Sequence, residues 1–118
     1  MAEENVRPWG RYDILHETEG SKTKIIKINP KQRFSLQYHN KRDEYWVIVK
    51  GSGIVTLGIL EKKVSVKDIV KIPKKMAHRA QAYDSGLEFI EVQIGEVDEN
   101  DIVRLEDDYG RVEKDGKS

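Results

Sequence analysis

Between Arg33 and His39 the chain alternates. Phe34, Leu36 and Tyr38 fall on one face of an extended segment, and Arg33, Ser35, Gln37 and His39 on the other. A half-buried strand usually gives its second face to water, yet here that face carries metal-capable and anion-capable groups. Glu44 opens another such segment, Tyr45 to Lys50, which runs into Gly51-Ser52-Gly53. Short stretches rich in Ile, Val, Tyr and Phe recur along the chain. They predict strands at Arg11–Glu17, Lys22–Asn29, Arg33–His39, Glu44–Lys50, Ile54–Leu60, Lys63–Val66, Ile69–Ile72, His78–Tyr83 and Leu87–Ile94. Turn signals at Arg7-Pro8-Trp9-Gly10, Gly20, Asn29-Pro30, Gly51-Ser52-Gly53, Pro73 and Ser85-Gly86 separate them. Many short strands with no long amphipathic helix between them predict an all-β sandwich or small barrel. The exception is Asp98–Asp107. Asp98 and Asn100 are placed as caps there, and Ile102, Val103 and Leu105 as a short apolar stripe, which predicts one C-terminal helix.

The chain has 118 residues, enough for one domain with a single modest core, expected to occupy about residues 7 to 111 between mobile termini. Charged residues make up 36%, but basic and acidic side chains balance at 21 each, so nothing favours nucleic acid as a partner. The absence of cysteine removes disulfides and thiolate metal sites. No apolar run approaches the roughly 18 residues needed to cross a bilayer. The acidic start, Met-Ala-Glu-Glu-Asn, does not read as a signal peptide, so the expected location is the cytoplasm.

Without thiolates, a divalent ion is held by imidazole nitrogen, carboxylate oxygen and at times amide oxygen. Gln37, His39, Glu44 and His78 supply that mixture. Gln37 and His39 stand two apart and point the same way, Glu44 starts the next strand, and His78 opens a strand after Pro73. Spacing alone leaves open the plainer alternative of two ordinary, partly buried imidazoles and a solvated carboxylate. Arg33 lies on the same face by alternation and is the first candidate to hold an anionic group. In the last strand Phe89, Glu91 and Gln93 share a face. A carboxylate there belongs either in water or in a polar pocket, and in a pocket Glu91 is a candidate general base. Lys24 and Lys71 read as surface charges on strands, and Trp9 and Trp46 as packing residues. Phe34, Leu36, Tyr38, Tyr45, Val47 and Val49 offer an apolar sheet face that would suit a homodimer, or equally the inner packing of a sandwich.

Leu36-Gln37-Tyr38-His39, followed by Arg42, Glu44, Trp46 and Gly51, resembles the first motif of the cupins. Ile72-Pro73 followed by His78-Arg79 resembles the second. More narrowly, the chain resembles the C-terminal cupin of type II mannose-6-phosphate isomerases, often fused to mannose-1-phosphate guanylyltransferase. Four stretches carry this likeness: Arg7-Pro8-Trp9-Gly10, Ser35-Leu36-Gln37, Ile90-Glu91-Val92-Gln93-Ile94-Gly95, and Asp101 to Asp107 with Tyr109-Gly110-Arg111. The glutamine that this family carries in place of the first cupin histidine matches Gln37.

The resemblance implies a double-stranded β-helix, or jelly-roll barrel. It also implies one divalent ion (Zn, Mn, Fe, Co or Ni) on Gln37, His39, Glu44 and His78, and isomerisation of mannose-6-phosphate and fructose-6-phosphate through an enediol. Arg33 would then hold the phosphate and assist catalysis. Arg42, Arg104 and Arg111 match positions of the family pattern as further substrate contacts, and Gln93 is grouped with them. Arg111 suits pinning the tail equally well. Two departures stand out. Asn40 occupies a position where the family often has a histidine. Lys67 and Lys75 replace glycines, so the turns there are expected to be built differently, since lysine does not take positive φ cheaply. Alternatives are a cupin for another sugar phosphate or nucleotide sugar, and a non-catalytic sugar-binding module.

Overall fold

The computed structural model describes residues 5–112; residues 1–4 of the acidic start and the charged tail from residue 113, both expected to be mobile, lie outside them. Among the described residues nine strands form: β1 (Val6–Arg7), β2 (Gly10–Thr18), β3 (Ser21–Ile28), β4 (Leu36–Tyr38), β5 (Arg42–Leu57), β6 (Leu60–Ser65), β7 (Ile69–Ile72), β8 (His78–Gly95) and β9 (Val103–Glu106). All pairings are antiparallel. The order β1-β2-β3-β8-β4-β9 makes one path, and β5 joins β8, β7 and β6. Among the described residues no helix is long and apolar enough to cross a membrane.

Two pairs of predicted strands are single long strands. β5 runs straight through Gly51-Ser52-Gly53, and β8 through Ser85-Gly86. The glycines mark a bend rather than a chain reversal. A Cβ on Gly51 would stand 2.1 Å from the Gly86 carbonyl oxygen, and one on Gly53 2.2 Å from that of Gln81. Only bare backbone lets β5 and β8 approach so closely where their register shifts. Beyond the bend the two strands remain paired, so the sheet curls over and encloses its own inner face.

That inner face changes character along its length. Cross-strand rows run Lys22–Gln93–Glu44, then Lys24–Glu91–Trp46, then Ile26–Phe89–Ile48 across β3, β8 and β5. The apolar rows make the core, where Trp46 stacks on Phe89 at 4.2 Å between ring centroids and Phe34 meets Trp46 edge-on. Glu44, Gln93, Lys24 and Glu91 of the polar rows line a cavity at the other end. A single side-chain period thus builds both core and site.

Three expectations are corrected. No α-helix forms among the described residues, and Asp98–Asp107 is a turn followed by β9. Asp98 accepts from the backbone nitrogen of Asn100, and Val103 and Arg104 pair with Tyr38 and Gln37. Ladder bonds to β4 outweigh a stripe too short to support a helix alone. The apolar face drawn through Phe34 and Val47 splits between the two sides of the sheet. Phe34 is buried between Trp9 and Trp46, whereas Tyr45, Val47 and Val49 face outward. Finally, the lysine turns keep the glycine backbone. Lys67 and Lys75 have φ of 85° and 68°, each at the third position of a turn closed by Asp68 N to Ser65 O and by Met76 N to Pro73 O.

Candidate metal centre and cavity

β4, β5 and β8 bring His39, Glu44 and His78 together, with one ligand atom from each lying within 4.8 Å of the others. All three are buried. His39 Nε2 stands 3.2 Å and His78 Nε2 3.7 Å from the Glu44 carboxylate oxygens. Each ring is oriented by its other nitrogen: His39 Nδ1 lies 2.7 Å from the Asp101 carbonyl oxygen, and His78 Nδ1 2.9 Å from that of Met76. Bonds to carbonyls place the proton on Nδ1 and leave Nε2 as a lone-pair donor, the tautomer a metal requires.

Gln37 joins the group on a different footing. Its Nε2 lies 3.2 Å from His39 Nε2, while its Oε1 accepts from Ser35 Oγ at 2.7 Å. The amide, as seated, shows its nitrogen to the site. Arg42, also buried, donates to Glu44 and approaches His39 Nε2 through Nη2 at 3.1 Å. Trp46 Nε1 donates to the other Glu44 oxygen.

Burial holds the His39 imidazole down at about 4 against the pull of Glu44, and it lowers His78 as well. Burial opposes ionisation of Glu44, but His78 and His39 when protonated, together with the permanent charge of Arg42, draw that carboxyl below the usual range. The donor set is therefore two neutral imidazoles and one carboxylate, the protonation a divalent ion needs. His78 Nε2 is buried without a hydrogen-bond partner. A lone-pair nitrogen left without a donor beside a carboxylate is what a divalent cation needs, so the residues suit a metal.

The centre floors a cavity of about 170 Å³ that also reaches Glu91, Gln93, Lys24 and Arg104. Glu91 is inside it, with Oε1 accepting from Gln93 Nε2 at 2.7 Å. Burial and the neighbouring charge of Glu44 push its carboxyl up to about 7. Arg111 lines the cavity too, its guanidinium held by Asp107 at 2.7 and 3.0 Å.

Arg33 is elsewhere. It forms a two-pronged pair with Asp108, both contacts at 2.8 Å, and lines a separate cavity with Arg79 and Glu106. The alternation that placed it among the ligands does not extend that far. Residues 34 and 35 are not strand, and the register shifts again between Leu36 and Gln37.

Lys24, expected as a surface charge, is buried instead, and so is Lys22. The available signal was parity: Ile26 and Ile28, the apolar inner residues of β3, share it with both lysines. Their ammonium groups meet Glu99, at 3.0 Å from Lys22 and 3.1 Å from Lys24. Burial alone would raise the Glu99 carboxyl, but Lys24 and Lys22 hold it at about 2.

The family model described as mannose-6-phosphate isomerase C-terminal matches residues 1–107. The mannose-1-phosphate guanylyltransferase ManC of Salmonella typhimurium is 37% identical over 114 residues, covering 95% of this chain and 24% of that protein. The alginate biosynthesis protein AlgA of Pseudomonas aeruginosa is 40% identical over 107 residues, covering 89% and 22%. The chain thus spans about a quarter of the length of these curated relatives. A cupin-2 domain from Rhodospirillum rubrum superposes with a TM-score of 0.67 at 24% identity, covering 76% of this chain and 66% of that one. The fold is the all-β cupin, a double-stranded β-helix.

Proposed function

The chain belongs to the mannose-6-phosphate isomerase C-terminal family, and from that premise we propose that it is a metal-dependent isomerase of mannose-6-phosphate and fructose-6-phosphate. The observation that carries this reading is the pairing, in one cavity, of a His–Glu–His cluster with a buried carboxylate poised near neutrality. His39, Glu44 and His78, with Gln37 beside them, would hold the ion. When bound, it would polarise the carbonyl and adjacent hydroxyl oxygens of the sugar.

Aldose–ketose interconversion moves one carbon-bound proton from C2 to C1 and one hydroxyl proton from O2 to O1. Glu91 is the candidate to carry the carbon-bound proton. Its Oε1 is already engaged by Gln93, which leaves Oε2 to take the proton from one carbon and return it to the other. A carboxyl near 7 is a better base than an ordinary one and still surrenders its proton at neutral pH. Arg104 and Lys24 supply positive charge along the wall for an anionic substrate, and Arg33 is not used.

Formation of fructose-6-phosphate from mannose-6-phosphate, followed after chelation and metal return, tests this. Glu91→Gln should lower kcat by about 10²–10⁴ while bound metal is unchanged. Arg42 favours a second reading, a non-catalytic sugar-binding module, because its guanidinium already engages Glu44 and His39. Sugar-phosphate binding with no turnover in metal-loaded protein would select that reading.

A further inference from the structure

Lys22 and Lys24 stand two apart on β3, on the inner face of the curled sheet, with side chains only 10% and 6% exposed. Their shared partner differs. Glu99 comes from the turn that precedes β9, and its side chain is 50% exposed. The cations are therefore fixed in the sheet, and the anion is lent by a loop. Lys24 Nζ also lies 4.1 Å from the centre of the Tyr12 ring, and Lys22 Nζ is 3.5 Å from Glu17 Oε2. Lys24 and Glu91 are cross-strand partners, so this cluster adjoins the candidate base. Lys24 and Glu99 both line the cavity.

We propose that Lys24, on the cavity wall, and Lys22, beside it on the same carboxylate, form a phosphoryl subsite at the cavity's edge, and that the Glu99 carboxylate is a resident stand-in which the substrate's phosphate displaces. The proposal rests on the sugar-phosphate reading of the same cavity. Two buried ammonium groups need a counter-charge at all times, and Glu99 supplies it when no substrate is bound. A phosphate monoester brings about −1.5 to −2 charges at pH 7 and three acceptor oxygens, against one charge and two oxygens from a carboxylate. It satisfies both lysines and keeps an oxygen to spare, so it wins the exchange. The loop released in this way also bears on the metal centre. Asp101, two residues on, accepts from the backbone nitrogens of Asn40 and Lys41, and its own carbonyl orients His39.

Calorimetric titration of the whole chain with inorganic phosphate tests the exchange, with uncharged mannose as control. Glu99→Gln removes the internal competitor and should tighten phosphate binding about tenfold. Lys24→Met should weaken it by at least about tenfold. Mannose binding should respond to neither change. If Lys24→Met does not fold, Glu99→Gln decides by itself. Unchanged or weaker phosphate binding in Glu99→Gln overturns the proposal, even if the chain isomerises mannose-6-phosphate. The predicted pattern without turnover would uphold the subsite and remove the isomerase reading.

Discussion

Arg42 holds a single oxygen of Glu44 through two nitrogens, Nε at 3.0 Å and Nη2 at 2.9 Å, and the same Nη2 lies 3.1 Å from His39 Nε2. A permanent cation thus engages two of the atoms that a metal would need. Without metal, this pair neutralises a buried carboxylate. With metal, it is a competitor. Arg42→Met should destabilise the metal-free protein by about 3–5 kcal/mol, the penalty for leaving a buried charge unpaired. The same variant should bind zinc more tightly than the parent and regain most of the lost stability on saturation. Urea unfolding with and without zinc, with calorimetry, reads both effects. Weaker zinc binding in the variant would show that Arg42 supports the metal rather than opposing it.

The buried titrating groups set the pH dependence of metal-free stability. His39 is depressed from 6.5 to about 4 when folded, so the unfolded chain binds the extra proton between those values. Its contribution is complete above 6.5 and is lost as pH falls toward 4, on the order of 3 kcal/mol. His78, also lowered, acts in the same direction. Glu91 is raised from 4.5 to about 7 and acts in the opposite direction: its contribution is complete below 4.5 and lost as pH rises to about 7. Two histidines outweigh one carboxyl, so stability should rise with pH between about 4.5 and 6.5. Urea midpoints across that range should show a steeper slope for Glu91→Gln and a shallower one for His39→Gln. Parallel profiles in all three proteins would contradict the assignment.

Lys67 and Lys75 hold left-handed backbone at turn positions that glycine ordinarily fills, with φ of 85° and 68°. An L-residue there costs about 1–2 kcal/mol, of which glycine returns part through its larger unfolded-state entropy. Lys67→Gly and Lys75→Gly should therefore each stabilise the protein by about 0.5–1 kcal/mol, a rise of a few degrees in Tm. A fall in Tm would mean that the lysine side chains make contacts worth more than the strain.

These turns show where sequence reading succeeds and where it stops. Residue chemistry at Gln37, His39, Glu44 and His78 was legible because ligands must be particular atoms, and strand period limits which ones can meet. The structure brings three of those ligand atoms together and turns the Gln37 oxygen toward Ser35. Arg33 falls outside the cavity because alternation does not carry across residues 34 and 35, where no ladder enforces it. Lys24 was misread because lysine is mostly exposed, although Ile26 and Ile28 fix the phase of β3 and put it inside. The turn and strand after Asp98 were out of reach. Their conformation depends on Lys22, Asn40 and β4, all at least 60 positions earlier, and local propensity does not carry that information.

The account stands most directly on the rate of fructose-6-phosphate formation from mannose-6-phosphate as one divalent ion is returned to chelator-stripped protein. It predicts activity that climbs with added metal, breaks at one ion per chain, and is absent from a folded His78→Ala variant that no longer retains the ion. Full metal occupancy without turnover, or equal activity in His78→Ala, would contradict it.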